Sequence, residues 1–143
     1  MQIELSFPGG DRVDAHFGGF TVQTDQPSPQ GGRGSAPAPF SLFMASIATC
    51  AGIYALHFCR ERGLPTDELR IRQHSVRDPE TGMIGRIELH LELPPGFPER
   101  YRAAIMRSVE LCAVKKHMEQ PPTFQITTDI AHESKSPYAR RPE

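Results

Sequence analysis

The chain begins with clean alternation. Ile3, Leu5 and Phe7 take one side of a strand, and Gln2, Glu4 and Ser6 take the other. "PGGD" turns the chain, and Val13, Ala15 and Phe17 alternate with Asp14 and His16. "GG" at 18–19 turns it again, and Phe20 and Val22 open a third strand. The pattern predicts a β-meander with one apolar face. Residues 24–39, "TDQPSPQGGRGSAPAP", are too rich in Pro and Gly for either regular element and read as loop.

The periodicity then changes. From Pro39 through Cys59 no Asp, Glu, Lys or Arg occurs. Pro39 suits the first turn of a helix, where its missing N–H costs nothing. The helix is predicted from about Phe40 to Arg62. Gly63 suits a left-handed exit, and Pro65 forbids continuation. Further on, "ELRIRQHSVRD" reads as a strand whose alternation slips near Gln73. In "MIGRIELHLELP", Ile87, Leu89, Leu91 and Leu93 alternate with Arg86, Glu88, His90 and Glu92, the clearest strand in the chain. A second helix is predicted from about Glu99 to Leu111, with Tyr101, Ile105, Val109 and Cys112 on one stripe. "CAVKKHMEQ" suggests a further helical turn, stopped by Pro121 and Pro122. Phe124, Ile126 and Thr128 predict a last strand. The order βββ-α-ββ-α-β is an α+β layout, read as one domain over residues 1–130 with a polar tail at 131–143.

The uncharged run is long enough to span a bilayer. Ser41, Ser46, Thr49 and His57 interrupt it, and Ala45, Ala48, Ala51 and Gly52 dilute it. A core helix, with no membrane partner, is the expectation. One sheet is too little to cover it, so a homodimer with paired central helices is expected. The formal net charge of −1 and the lack of a basic stripe argue against nucleic acid. "MQIELSFPGG" lacks the basic start and apolar core of a secretory signal, and a cytoplasmic location is expected.

Three cysteines, Cys50, Cys59 and Cys112, cannot all pair within one chain, and no CxxC occurs. A reducing compartment fits better than a disulfide scaffold. His16, His57, His74, His90, His117 and His132 show no ligand spacing around the cysteines, so no metal is expected. Buried cysteines are commonly inert packing groups. Cys59 carries no feature that sets it apart from them. Small neighbours in "IATCAG" leave room for a molecule to approach Cys50. Cys112 falls at a helix junction, where free N–H groups favour a thiolate.

"PAPFSLFMASIATCAG", the helix ending "RERGLP", and "RIELHLELPPGFPERYRAAIMRSVELCAVKKHME" together resemble the OsmC/Ohr family of thiol peroxidases. The likeness covers roughly Val13 to Ile130. It implies an intertwined dimer with two long helices between sheets. It implies a cycle in which Cys50 attacks an organic hydroperoxide, Cys112 closes a disulfide, and an external dithiol restores both. No bound cofactor is implied. It also implies an arginine from the N-terminal β region beside the thiolate. Arg12 is the candidate and Arg33 the reserve. The family's peroxidases hold that arginine with a carboxylate near the start of the central helix. Here Phe40 and Ser41 stand in its place, and Asp11 or Asp14 is left to substitute. Without that anchor, the alternative is a non-catalytic dimer that holds a small apolar ligand, with the cysteines as packing.

Overall fold

A computed structural model of the chain describes residues 1–130. Three antiparallel strands open it: β1 (Glu4–Gly9), β2 (Arg12–Phe17) and β3 (Phe20–Thr24). Leu5 pairs with Ala15, and Ala15 with Val22, so the apolar positions share one face. Gly18 and Gly19, at φ +54° and +81°, make the two-residue turn between β2 and β3. A turn that needs positive φ at both centres matches the twist of its strands and selects glycine. On the opposite face, His16 joins the strands, with Nε2 2.8 Å from Ser6 Oγ and Nδ1 3.1 Å from Thr21 Oγ1. The apolar face is uncovered: Leu5, Phe7 and Phe20 are 57%, 76% and 70% exposed. The sheet packs chiefly within itself and makes no extensive contact with a helix.

The loop that follows is organised by Asp25, which is buried. One of its carboxylate oxygens accepts from the Ser35 hydroxyl (2.7 Å), the Ser35 N–H (2.9 Å) and the Arg33 N–H (3.2 Å). These bonds, led by the Ser35 hydroxyl, hold its pKa below the ordinary carboxylate value. A side chain at Gly32 would collide with the Gln26 carbonyl, so the loop folds this tightly only with glycine there.

The long helix α1 runs over Pro39–Arg60, with Pro39 in its first turn. Ile47, Ala51, Ala55, Phe58 and Cys59 form its buried face. Ser41, Ala45, Thr49, Ile53 and His57 recur every four residues on the exposed side. The helix is long and apolar enough to cross a membrane by length and composition, yet one face of it packs on other elements of the chain. Its end is closed by N–H bonds from Leu64 to the Cys59 carbonyl (2.9 Å) and from Gly63, at φ +62°, to that of Arg60 (3.2 Å). Arg62 adds to this end. Its guanidinium lies 3.9 Å from the centre of the Phe58 ring and donates to the Phe58 carbonyl at 3.1 Å.

A hairpin of β4 (Arg70–Arg77) and β5 (Ile84–Glu92) comes next, then α2 (Glu99–Glu110) and α3 (Ala113–Glu119). Gln73 breaks the apolar side of β4 for a reason that sequence does not carry. Its amide donates to the Met44 carbonyl of α1 at 3.0 Å, tying sheet to helix. The core joins Ala51, Ala55, Phe58 and Cys59 of α1 to Ile105 and Val109 of α2, with Leu69, Ile71, Leu89 and Leu91 packed against it. The architecture is the expected α+β one, with two corrections. The short turn after Cys112 is a helix in its own right. The strand expected at Phe124–Thr128 does not form: residues 121–130 are exposed and pair with no strand among the described residues. Phe124 and Ile126 are 88% and 91% exposed. The alternation is present, but a strand also needs an edge to pair with, and within one chain this segment finds none. The expected tail at 131–143 lies outside the described residues.

Prediction: Arg62→Ala removes a stacked cation and a cap bond. We expect a loss of about 1 kcal/mol, seen as a fall of about 2–4 °C in the thermal midpoint. Arg62→Lys recovers only part of it, because an ammonium neither stacks nor donates in the same plane.

Candidate functional site

Two thiols meet where three helices converge. Cys50 sits halfway along α1 and is half-buried. Cys112 is 1% exposed and occupies the cap position before α3. The helical stripe on α2 places it there, since Ile105, Val109 and Cys112 face the same way. α1 packs on both α2 and α3. A bond pins the contact one turn from each thiol: Ser108 Oγ donates to the Tyr54 carbonyl at 3.3 Å. Tyr54 is four residues beyond Cys50, and Ser108 four before Cys112, so this bond sets the depth at which the sulfurs meet.

The two thiols are neighbours and are electrostatically unlike. Burial pushes the Cys50 thiol up, but three donors together outweigh it. These are the Cys112 thiol and the backbone N–H groups of Val114 and Ala113, in that order of weight. The net result is a Cys50 pKa below the ordinary thiol value of 9.0. Cys112 moves the opposite way. Burial and its bond to Cys50 raise its pKa, and N–H groups of Lys115 and Val114 offset this only in part. Of the two, Cys50 is the thiol that ionises first and Cys112 the one that holds its proton more tightly. The N–H groups at the helix junction act on both sulfurs, Val114 and Ala113 on Cys50 and Lys115 and Val114 on Cys112, whereas the sequence suggested Cys112 alone as their beneficiary. Cys59 is fully buried with a raised pKa, from burial first, relieved only in part by the charge of Arg62. That is the environment of an inert packing thiol.

The arginines are elsewhere. Arg12 pairs with Asp14 at 3.2 Å and lines a separate cavity of about 500 Å³ with Asp25, Gly31 and Arg33. Neither arginine contributes to the electrostatics of Cys50 within the chain. The N-terminal sheet makes no extensive contact with α1. The expected juxtaposition of Arg12 with Cys50 is thus absent from a single chain. Asp14, 6% exposed, holds Arg12, and neither Phe40 nor Ser41 takes part. Sequence reasoning had Asp14 only as one of two substitutes. It missed Ala113, Val114 and Ser108. Backbone donors carry no residue-type signature, and a serine is informative only once its partner is known.

A groove of about 960 Å³ runs past Cys112, lined by Ile87, Leu89 and Leu91 of β5 and Ile105, Met106 and Val109 of α2. Among the described residues, no three His, Cys, Asp or Glu side chains converge to hold a metal ion.

The sequence model for OsmC-like proteins matches residues 32–127. No curated protein matches the chain. Solved structures match its fold. One, assigned to the osmotic stress and detoxification response of Psychrobacter arcticus 273-4, superposes with a TM-score of 0.68 at 17% identity, over 81% of this chain and 86% of that one. The organic hydroperoxide resistance protein OsmC of Legionella pneumophila gives 0.52 at 20% identity, over 82% and 89%. The organic hydroperoxide resistance protein OhrB of Bacillus subtilis gives 0.51 at 18%, over 85% and 93%.

Prediction: pH-resolved alkylation with iodoacetamide, read by mass spectrometry, modifies Cys50 with a midpoint below pH 9.0, while Cys59 stays unmodified in the folded protein. Ala113→Pro removes one N–H donor at a first-turn position that tolerates proline. It moves the Cys50 midpoint upward.

Proposed function

The chain belongs to the OsmC-like family, and on that premise we propose that it reduces organic hydroperoxides to alcohols with Cys50 and Cys112. The observation that carries this reading is the pair of free thiols brought together from the middle of α1 and the cap of α3, with the pKa of one lowered and that of the other raised. A nucleophile and its resolving partner need that asymmetry.

The Cys50 thiolate attacks the terminal oxygen of R–O–O–H. The O–O bond breaks, Cys50 becomes a sulfenic acid, and R–O⁻ takes a proton and leaves as the alcohol. The Cys112 thiol then attacks the Cys50 sulfur. Water departs and a Cys50–Cys112 disulfide remains. An external dithiol reduces it by exchange, is itself oxidised to a disulfide, and restores both thiols. Metal, haem and flavin have no part in this cycle. Apolar residues around the thiols favour alkyl or fatty hydroperoxides over hydrogen peroxide. A cycle that must start from free thiols suits a reducing cytoplasm.

The working unit in this proposal is a homodimer. The bare apolar face of the β1–β3 sheet and the exposed stripe of α1 are the surfaces that need cover. A second copy also supplies the cation missing from the single chain. Arg12, already aimed by Asp14, reaches the thiol pair of its partner rather than its own. A second reading, a non-catalytic binder of a small apolar ligand, has the groove beside Cys112 in its favour.

Prediction: the wild-type protein consumes cumene hydroperoxide with a dithiol reductant, and stoichiometric peroxide produces a Cys50–Cys112 disulfide by mass spectrometry. Cys50→Ser abolishes turnover. Both thiols remaining free after peroxide would sink the enzyme reading. Ligand retention unchanged by Cys50→Ser, with no turnover in the wild type, would favour the binder.

Prediction: Arg12→Ala chains and Cys50→Ser chains are inactive as separate homodimers. Mixed dimers of the two recover turnover, because one of their two sites has both groups. No recovery would place Arg12 in its own chain's site or in none.

A further inference from the structure

We propose that the phenol of Tyr54 gives the departing alkoxide its proton when the O–O bond breaks at Cys50. The inference rests on the peroxidase reading and names what that cycle leaves open, the source of the proton that turns R–O⁻ into an alcohol.

A proton donor has to stand within hydrogen-bond reach of the breaking bond. It comes from the turns on either side of Cys50 or from the helix that faces them. Three hydroxyls of α1 qualify by position: Ser46, Thr49 and Tyr54. Ser46 donates to the Phe43 carbonyl at 2.7 Å, and Thr49 to the Ala45 carbonyl at 2.9 Å. Both are committed to their own helix. Ser108 of α2 is committed as well, to the Tyr54 carbonyl at 3.3 Å. Tyr54 differs from these. It is half-buried, and among the described residues its side chain has no hydrogen-bond partner, only its backbone carbonyl meeting Ser108.

Helix geometry aims the ring. Tyr54 lies four residues beyond Cys50, so the two side chains are neighbours on the helix surface. A long helical side chain leans toward the N-terminus and covers the turn before its own Cα. For Tyr54 that turn holds Cys50. The Ser108 bond ties this part of α1 to α2, so the ring stands on a fixed backbone.

Other groups fit the task less well. A guanidinium such as Arg12 of a second copy would stabilise an alkoxide, but it keeps its protons. The Cys112 hydrogen is used one step later, when it leaves with the sulfenic hydroxyl as water. His57 is exposed and a further turn away. With Tyr54 the step balances. The Cys50 sulfur gives an electron pair to the terminal oxygen, and the O–O pair moves to the inner oxygen. That oxygen takes the Tyr54 hydrogen, and the alcohol departs. A phenol is a stronger acid than an alcohol, so the transfer runs downhill. The phenolate then takes a proton from solvent, matching the one that Cys50 released on ionising.

Two oxidants whose leaving groups differ in their need for a proton test this. Cumene hydroperoxide expels an alkoxide, whereas peroxybenzoic acid expels a carboxylate that leaves without one. The kcat/KM for each oxidant isolates the oxidative half of the cycle, with the Cys50→Ser rate subtracted as background. Tyr54→Phe is expected to lower kcat/KM about a hundredfold for cumene hydroperoxide and less than about twofold for peroxybenzoic acid. Its thermal midpoint and Cys50 alkylation midpoint stay at wild-type values, since Tyr54 is not among the groups that set the charge of Cys50. Equal losses with both oxidants would give Tyr54 a packing role and overturn the proposal. No loss with either would overturn it too, and would assign the proton to solvent or to Cys112. In both cases wild-type turnover stands, and the inference falls alone. Turnover of neither oxidant by the wild type would defeat the peroxidase reading and this inference with it.

Discussion

The contact between the Cys50 and Cys112 sulfurs is what the rest of the molecule is arranged around. Sixty-one intervening residues have to fold so that two helices present those atoms to each other. The Ala51, Ala55 and Ile105 packing brings α1 and α2 close, because small residues on α1 let α2 approach. The Ser108–Tyr54 bond sets their depth. The cap position then turns the chain so that the first N–H groups of α3 point back at Cys50. Moving any of these by one helical turn would shift a sulfur by about 5.4 Å, far beyond hydrogen-bonding reach.

That geometry also settles which effect governs the charge on Cys50. Burial is the largest single influence and it opposes ionisation. Three hydrogen-bond donors reverse the outcome without any formal positive charge. Bonds to charged groups contribute roughly 1.5–3 kcal/mol each, and a pKa unit corresponds to about 1.4 kcal/mol, so a few donors suffice. A guanidinium would add to this rather than create it. The same contact explains the opposite behaviour of Cys112, because a thiol that donates to an anion holds its proton more tightly. Cys59, the last residue but one of the same helix, shows what the site is without donors: burial pushes its pKa up, and the charge of Arg62 relieves this only in part.

The remainder of the structure has the marks of an incomplete surface. The first sheet is well paired internally yet shows its apolar side to solvent. Phe40, Phe43 and Ile53 of α1 and the segment after α3 do the same. These are separate elements with one shared property, namely periodicity that fits burial and no neighbour to supply it. Arg12 belongs with them. Asp14 pairs with it at a place where it does not act on Cys50 of its own chain.

Much of this was legible from residues alone. Alternation located β1, β2, β3 and β5, and helical spacing with Pro39 and Gly63 bounded α1. The surroundings of Cys50 and Cys112 carried the family likeness, because they depend on neighbours in the chain. Other features were decided only in three dimensions. Gln73 looked like an error in a strand until Met44 stood opposite it. Phe124–Thr128 had the period of a strand and no edge. The helix junction promised free N–H groups, but which sulfur would receive them depended on how α1 lay across α3. Periodicity is a local property and can be read along the chain. Ionisation and pairing are set by whatever lies within a few ångströms in space, and that distance exists only once the chain has folded.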